Sequence, residues 1–362
     1  LLEGRETKRQ GRPVVTLSQK TEKDAVDVSA AWDADNQAWW DWYVGLADNT
    51  MTSVQRARQA PTMLRPDPSL SALGLEALAD ELSQPYDLSA DAIARFNTEG
   101  FIKLPRVLSP EAVITLRRAI VRTLEAQFAT TLDCPVGDGT PQVGRRFYSA
   151  EMVWLDDPIV RLFVLSPRIA RISADLLGVR SVRLYHDNLM SKEPGCGRTP
   201  WHYDDHHFPL ATQNVVTAWI AAQAIPEAMG PLAFAKGMDA WRLVADIPFN
   251  KTDTSYDRRV AETFRGQNVS IEAGEFDVGE VSFHHNLSFH TAGPNETAFS
   301  RCVLANTFFA DGARVVDAPT MVSGDWRKFL PGVEPGGLAA SPLNPICWPA
   351  AQNWADQQKD DA

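Results

Sequence analysis

Cysteine is scarce and unpaired. Cys134, Cys196, Cys302 and Cys347 are four in 362 residues, and no C-x-x-C occurs. This excludes a disulfide framework and a thiolate zinc site, so the thiols read as reduced, in the cytoplasm. No run of 18 apolar residues is present and no membrane span is expected. Positive charge is also short, with 35 Lys and Arg against 46 Asp and Glu and a net charge of −11. Phosphate-rich partners need a positive field, which leaves no nucleic acid among the expected partners and makes a small molecule the expected one. The first residue is Leu1 and not methionine, so the reading leaves open whether a targeting segment preceded it.

Histidine is absent from residues 1–185 and 291–362. All seven, His186, His202, His206, His207, His284, His285 and His290, fall between those limits. Histidine is the commonest metal ligand and titrates nearest neutral pH, so this clustering points to a metal or acid/base site.

What is there is a globular composition, 44% hydrophobic and 22% charged. Residues 1–30 are polar and mixed in charge. Trp32, Trp39, Trp40, Trp42 and Tyr43 follow, an aromatic density that needs burial against the main domain or a second subunit. A homodimer through this segment is therefore a candidate assembly. Ser109-Pro110-Glu111 has a cap, a first-turn proline and an acid suited to the helix dipole, and Val113, Leu116, Ile120, Leu124 and Phe128 then recur at helical spacing. A second helix is expected from Pro158 to Leu177, closed by Gly178. After Val179 the period changes to two, in SVRLYHDNLM, NVVTAWIAAQAI, GEVSFHH and RCVLANTFFA. Helices followed by strands predict a mainly β core with flanking helices, a sandwich or barrel.

The densest chemistry is TPWHYDDHHFP. On an extended strand His202 and Asp204 point to one face and offer an imidazole and a carboxylate side by side. A third ligand from His284, His285 or His290 would complete the two-histidine, one-carboxylate set of non-haem Fe(II) oxygenases. A helical zinc pair of His202 and His206 is ruled out, since Pro200 and Pro209 leave too short a helix. Beyond His290 the chain turns through Gly293-Pro294-Asn295 and reaches Arg301 at the start of the next strand. Its guanidinium is shaped to grip a carboxylate with two parallel bonds.

His202-x-Asp204, the GPLAFAKG segment, His290 with Asn295 and Thr297 after it, Arg301, and the upstream FNTEGFIKLPRVLSPEAV together resemble the phytanoyl-CoA dioxygenase family of Fe(II)/2-oxoglutarate oxygenases, over about residues 93–310. The resemblance implies a double-stranded β-helix, a jelly-roll, cupin-like core with iron at its mouth. It implies His202, Asp204 and His290 as metal ligands and catalytic centre, and Arg301 as the holder of 2-oxoglutarate. Trp219, Asn188, Lys192 and Thr297 are carried over as further cosubstrate contacts, while Tyr203, His207 and His284 are candidate substrate contacts. The roles of His186, His206 and His285 are left open. Two departures concern the pocket wall: Ala235-Lys236-Gly237-Met238 replaces the family's Pro-Gly-Ser-His, and Ala292 stands where many members have Ser. Asp204 is kept, whereas halogenating relatives replace that carboxylate, so hydroxylation or a related oxidation of a C–H bond is expected, with O2 consumed and succinate and CO2 formed. The expected organisation is an N-terminal extension over 1–87, a catalytic domain over 88–311 (helices about 88–178, strands about 180–311) and a C-terminal extension over 312–362 packed on the domain. Two alternatives stand beside this reading: an inactive jelly roll that binds a ligand or partner, and a metal enzyme that does not use 2-oxoglutarate.

Overall fold

The computed structural model describes residues 71–132, 147–248, 255–319 and 326–349. The polar arm, the Trp-rich segment with its expected dimer contact, and the polar tail lie outside the described residues.

Two helices lead in, α1 (Leu75–Ser83) and α2 (Ala90–Glu99), followed by strand β1 (Phe101–Leu104) and the long helix α3 (Pro110–Phe128). Ser109 starts α3 as expected, its hydroxyl accepting from the Ala112 N–H at 3.1 Å. Val113, Leu116, Ile120 and Leu124 are each at most 2% exposed. Leu78 and Leu82 of α1, within the stretch read as N-terminal extension, belong to the same apolar cluster as α3.

Strand β2 (Phe147–Glu151) comes next. It and β1 interrupt a stretch read as helical throughout. Both are short, and their ladder partners lie far along the chain, where local periodicity cannot report them. The single helix expected over 158–177 is two, α4 (Pro158–Val164) and α5 (Pro167–Leu177). Pro167 supplies no N–H to continue a helix, and the Ser166 hydroxyl caps a new one by accepting from Ile169 N at 3.3 Å.

The strand-rich half contains β3 (Val182–Lys192), β4 (Thr199–His202), β5 (Val215–Ala221), β6 (Leu232–Ala235), helix α6 (Ser255–Gly266), β7 (Ile271–Ala273), β8 (Val281–His285), β9 (His290–Ala292) and β10 (Arg301–Ala310). Helix α7 (Trp326–Phe329) and β11 (Ile346–Trp348) follow. All pairings are antiparallel. One sheet runs β1-β8-β5-β10-β3-β11 with β2 also on β3, and a second runs β4-β9-β6-β7. Helices α1 to α5 lie on the side of the larger sheet, whereas α6 packs on β4 of the smaller one. Phe101, Trp219, Phe234 and Val303 fill the space between the sheets, where the Phe101 and Phe234 rings stack at 4.3 Å. This is the mainly β, jelly-roll core with flanking helices that was expected. No helix among the described residues is long and apolar enough to cross a membrane.

One buried acid makes stability depend on pH. Asp187 on β3 is fully buried on the helix side of the sheet; its Oδ2 accepts from Val153 N at 3.0 Å and its Oδ1 has no partner among the described residues. Burial pushes its carboxyl up to about 7, against 3.8 for a free one. The folded state therefore keeps a proton that the unfolded chain releases, and stability falls as pH rises between those values. Asp187→Asn should raise thermal stability at about pH 8 by the equivalent of a few kcal/mol and leave it nearly unchanged at about pH 4. Melting curves at both values check this, and equal shifts would count against it.

Candidate metal centre and its cavity

The metal-ligand candidates meet because β4 and β9 pair so that His202 lies directly opposite His290. The Nδ1 of His202 lies 2.9 Å from the Pro200 carbonyl, and that of His290 lies 3.0 Å from the Ser288 carbonyl. Each carbonyl calls for an Nδ1–H, which leaves both Nε2 atoms with a lone pair turned inward. Strand β4 ends at His202, and Tyr203 keeps extended backbone before a 3-10 turn opens at Asp204. Asp204 thus returns to the inner face although it lies beyond the strand. Its Oδ1 is 3.9 Å from His202 Nε2 and 3.8 Å from His290 Nε2. The three ligand atoms lie within 4.8 Å of one another. Burial alone would raise the Asp204 carboxyl, but the surrounding imidazoles of His290, His284 and His202, with the hydrogen bond from His284, outweigh it and hold it well below the usual range. Burial, reinforced by His202, pushes His290 well down and keeps its imidazole neutral. Two neutral imidazoles and an ionised carboxylate are the donor set suited to Fe(II).

From this point a cavity runs between the sheets. At one end lie Asn188, Trp219 and Arg301. Arg301 opens β10 and is 3% exposed. Its Nη1 donates to the Gly230 carbonyl, its guanidinium lies 5.4 Å from the Trp219 ring centre, and its Nε has no partner. Burial lowers it only to about 10, so it stays cationic, yet among the described residues it forms no ion pair. A buried cation without a counter-charge is costly, and an arriving carboxylate is what this one lacks.

Three of the expected contacts do not line the cavity. Lys192 is fully buried and spends its Nζ on Thr199 Oγ1 at 3.1 Å and the Gly293 carbonyl at 2.8 Å. Thr297 donates to Asn295 Oδ1 at 2.7 Å within a tight turn. Tyr203 packs on Phe289 at 4.7 Å between ring centres and on His206 at 4.2 Å, away from the cavity. His207 and His284 do line it, whereas His285 faces the helices, with Phe96 at 6.3 Å. Burial, reinforced by His284, lowers His285 to about 4.

Toward the opposite end the wall holds Glu151, Tyr185, His186, Thr307 and Phe329, while Phe147, which pairs with Lys192 as Arg301 does, lines the arginine end. None of these was a candidate. His186 has the same strand parity as Asn188 and Lys192, a signal that was available. Tyr185 was not readable, since the β3–β10 register slips there: Thr307 pairs with His186 and Phe308 with Leu184, leaving Tyr185 as the extra residue. The His186 ring stacks on Phe329 at 4.7 Å.

Two antiparallel sheets with a His-Asp-His set at their mouth and an uncompensated buried arginine beyond it define an iron- and 2-oxoglutarate-dependent oxygenase. The family model of phytanoyl-CoA dioxygenase (PhyH) matches residues 96–303, and the chain belongs to that family. L-proline trans-4-hydroxylase of Streptomyces griseoviridis is 25% identical over 267 residues, 67% of this chain and 95% of that protein. Among solved structures, the non-heme alpha ketoglutarate dependent carbocyclase SnoK from nogalamycin biosynthesis matches with a TM-score of 0.57 at 24% identity, covering 73% of this chain and 99% of SnoK. EctD from S. alaskensis matches with a TM-score of 0.53 at 21% identity, covering 79% and 96%. These two likenesses bear on the fold. The protein is a 2-oxoglutarate-dependent dioxygenase, and the readings as an inactive jelly roll or a metal enzyme independent of 2-oxoglutarate give way to its family membership.

Proposed function

We propose that His202, Asp204 and His290 hold Fe(II), that 2-oxoglutarate reaches from them to Arg301, and that the enzyme uses O2 to oxidise a C–H bond of a small organic molecule. The observation that carries this reading is the common point to which both Nε2 atoms and Asp204 Oδ1 turn, with the unpaired Arg301 farther along the same cavity. When bound, iron, 2-oxoglutarate and O2 supply the oxidant that removes the substrate hydrogen, with succinate and CO2 as coproducts. The chain's own work is to fix the ligands, hold the cosubstrate, place one C–H bond and keep water out. Asn188 and Trp219 wall the cosubstrate end. Lys192 and Thr297 act from behind it, Lys192 bracing β4 against the Gly293 carbonyl and Thr297 fixing the turn that precedes Arg301.

The substrate end, in this reading, is the aromatic wall with His207 and Glu151. The Streptomyces relative supports hydroxylation as the form of the oxidation. This reading takes 88–311 as the catalytic unit, with an extension on either side. Among the described residues Cys196, Cys302 and Cys347 form no disulfide, which supports the cytoplasm as the compartment.

Anaerobic addition of Fe(II) and 2-oxoglutarate should give the weak visible band of an iron-chelated keto acid. His290→Ala should lose it. A wild-type protein without the band, or a variant that keeps it in full, would sink the assignment. Screening small molecules for stimulated succinate release then identifies the substrate.

A further inference from the structure

Asp204 has two oxygens, and the structure treats them differently. Oδ1 faces His202 and His290, a cross-strand pair of the smaller sheet. Oδ2 faces a second cross-strand pair: Thr217 on β5 and His284 on β8 are directly opposite each other in the larger sheet. His284 Nε2 lies 3.2 Å from Oδ2 and Thr217 Oγ1 lies 3.3 Å from it. The carboxylate is thus gripped between two pairs, one from each sheet.

Proton accounting gives the direction of each bond. An ionised carboxylate only accepts, so His284 donates from Nε2 and Thr217 from its hydroxyl. Thr217 then has no proton left for the Thr307 hydroxyl 3.2 Å away, so Thr307 donates to it. His284 Nδ1, buried and without a partner, is left with a lone pair and not with a stranded proton, which is the cheaper orphan. His284 itself is 2% exposed, with its ring 4.5 Å from that of His290, and has little room to turn away.

We propose that His284 and Thr217 are positioning residues that confine Asp204 to one ligand oxygen, Oδ1. This rests on the iron site proposed above. A carboxylate free to rotate can offer both oxygens to one cation. A facial set of three ligands is useful only while the remaining positions stay open for cosubstrates. Engaging Oδ2 from the opposite sheet removes the second mode of binding and fixes the direction in which Oδ1 points. Thr307 completes the device by orienting the Thr217 proton.

The test is titration of the metal-free enzyme with Co(II) alone, read by its visible absorption, without 2-oxoglutarate or turnover. His284→Leu should weaken Co(II) binding roughly 10- to 100-fold, the usual cost of losing a partner of a metal ligand, and alter the Co(II) spectrum. His284→Gln, which can return a donor N–H to Oδ2, should remain within about threefold of wild type. Equal losses in the two variants would mean that His284 fills space, and wild-type affinity with an unchanged spectrum in His284→Leu would mean that Oδ2 needs no donor; either result overturns the proposal. If circular dichroism shows His284→Leu unfolded, the nearly isosteric Thr217→Val carries the test against Thr217→Ser, with the valine variant alone expected to lose affinity. Asp204→Ala in the same titration separates the two claims. If it binds Co(II) as tightly as wild type, the metal assignment is wrong and the clamp falls with it; if it loses Co(II) while the His284 and Thr217 variants do not, only the clamp is wrong.

Discussion

Arg301→Leu should weaken 2-oxoglutarate binding by at least about thirtyfold and leave metal affinity within about threefold, because truncating one partner of a buried, hydrogen-bonded charge pair costs about 2–5 kcal/mol. The guanidinium stands at the head of β10, on the cavity wall, with Nη1 held by the Gly230 carbonyl and with no carboxylate partner among the described residues. Its remaining donors are thus oriented before any ligand arrives, and leucine keeps the bulk while deleting them. Arg301→Lys keeps the charge but replaces the planar fork with a point charge, and should recover only part of the loss. Titration of 2-oxoglutarate into the anaerobic Fe(II) enzyme measures this, with Co(II) binding as the control. Parallel loss of both affinities would place Arg301 in the metal site's scaffold and remove it from the cosubstrate pocket.

Gly230→Ala should be strongly destabilising. Gly230 has φ +74°, a left-handed conformation that costs any other residue, and a Cβ there would collide with the Gly293 carbonyl and lie 2.6 Å from that of Pro294. Both obstacles are backbone, in the turn that follows His290 on β9, so no side chain can swing aside. Strain of this kind, at about 1–3 kcal/mol for the dihedral alone, adds to the clash. A fall in melting temperature of at least about 5 °C is expected. Gly230's own carbonyl holds Arg301, so 2-oxoglutarate affinity should fall with it. Calorimetry and the anaerobic titration together check this; an unchanged melting temperature would show that the two turns move apart more easily than their contact implies.

Much of this site was legible because strand chemistry is local. The spacing of His202 and Asp204, the period of two around Trp219 and Arg301, and the Ser-Pro start of α3 all depend on neighbours a few residues away. The same rule, taken one step further, excludes Tyr203: a residue between two that face inward faces outward. Lys192 illustrates the opposite limit. Its parity places it on the cavity side of β3, but it sits beyond the end of the cavity, a length that alternation cannot report. Thr217 shares a face with Trp219 and was readable in principle, yet its meeting with Asp204 depends on how far apart two sheets pack. β1 escaped notice because its partner β8 is distant in sequence, and a four-residue strand has little signature of its own.

The family match ends at residue 303, but Phe329 of α7 forms part of the cavity wall and the neighbouring Lys328 pairs with Glu151 of the same wall at 2.6 Å. The strands that carry His202 and His290 and the far rim of the pocket are therefore drawn from separable stretches of chain. Changes in the C-terminal stretch can reshape what the pocket admits without touching a ligand, a hydrogen bond to a ligand, or the strand that carries Arg301. Selectivity can drift or be engineered there while the oxidising centre stays constant, and an exchange of 312–349 between relatives is the graft by which to move it.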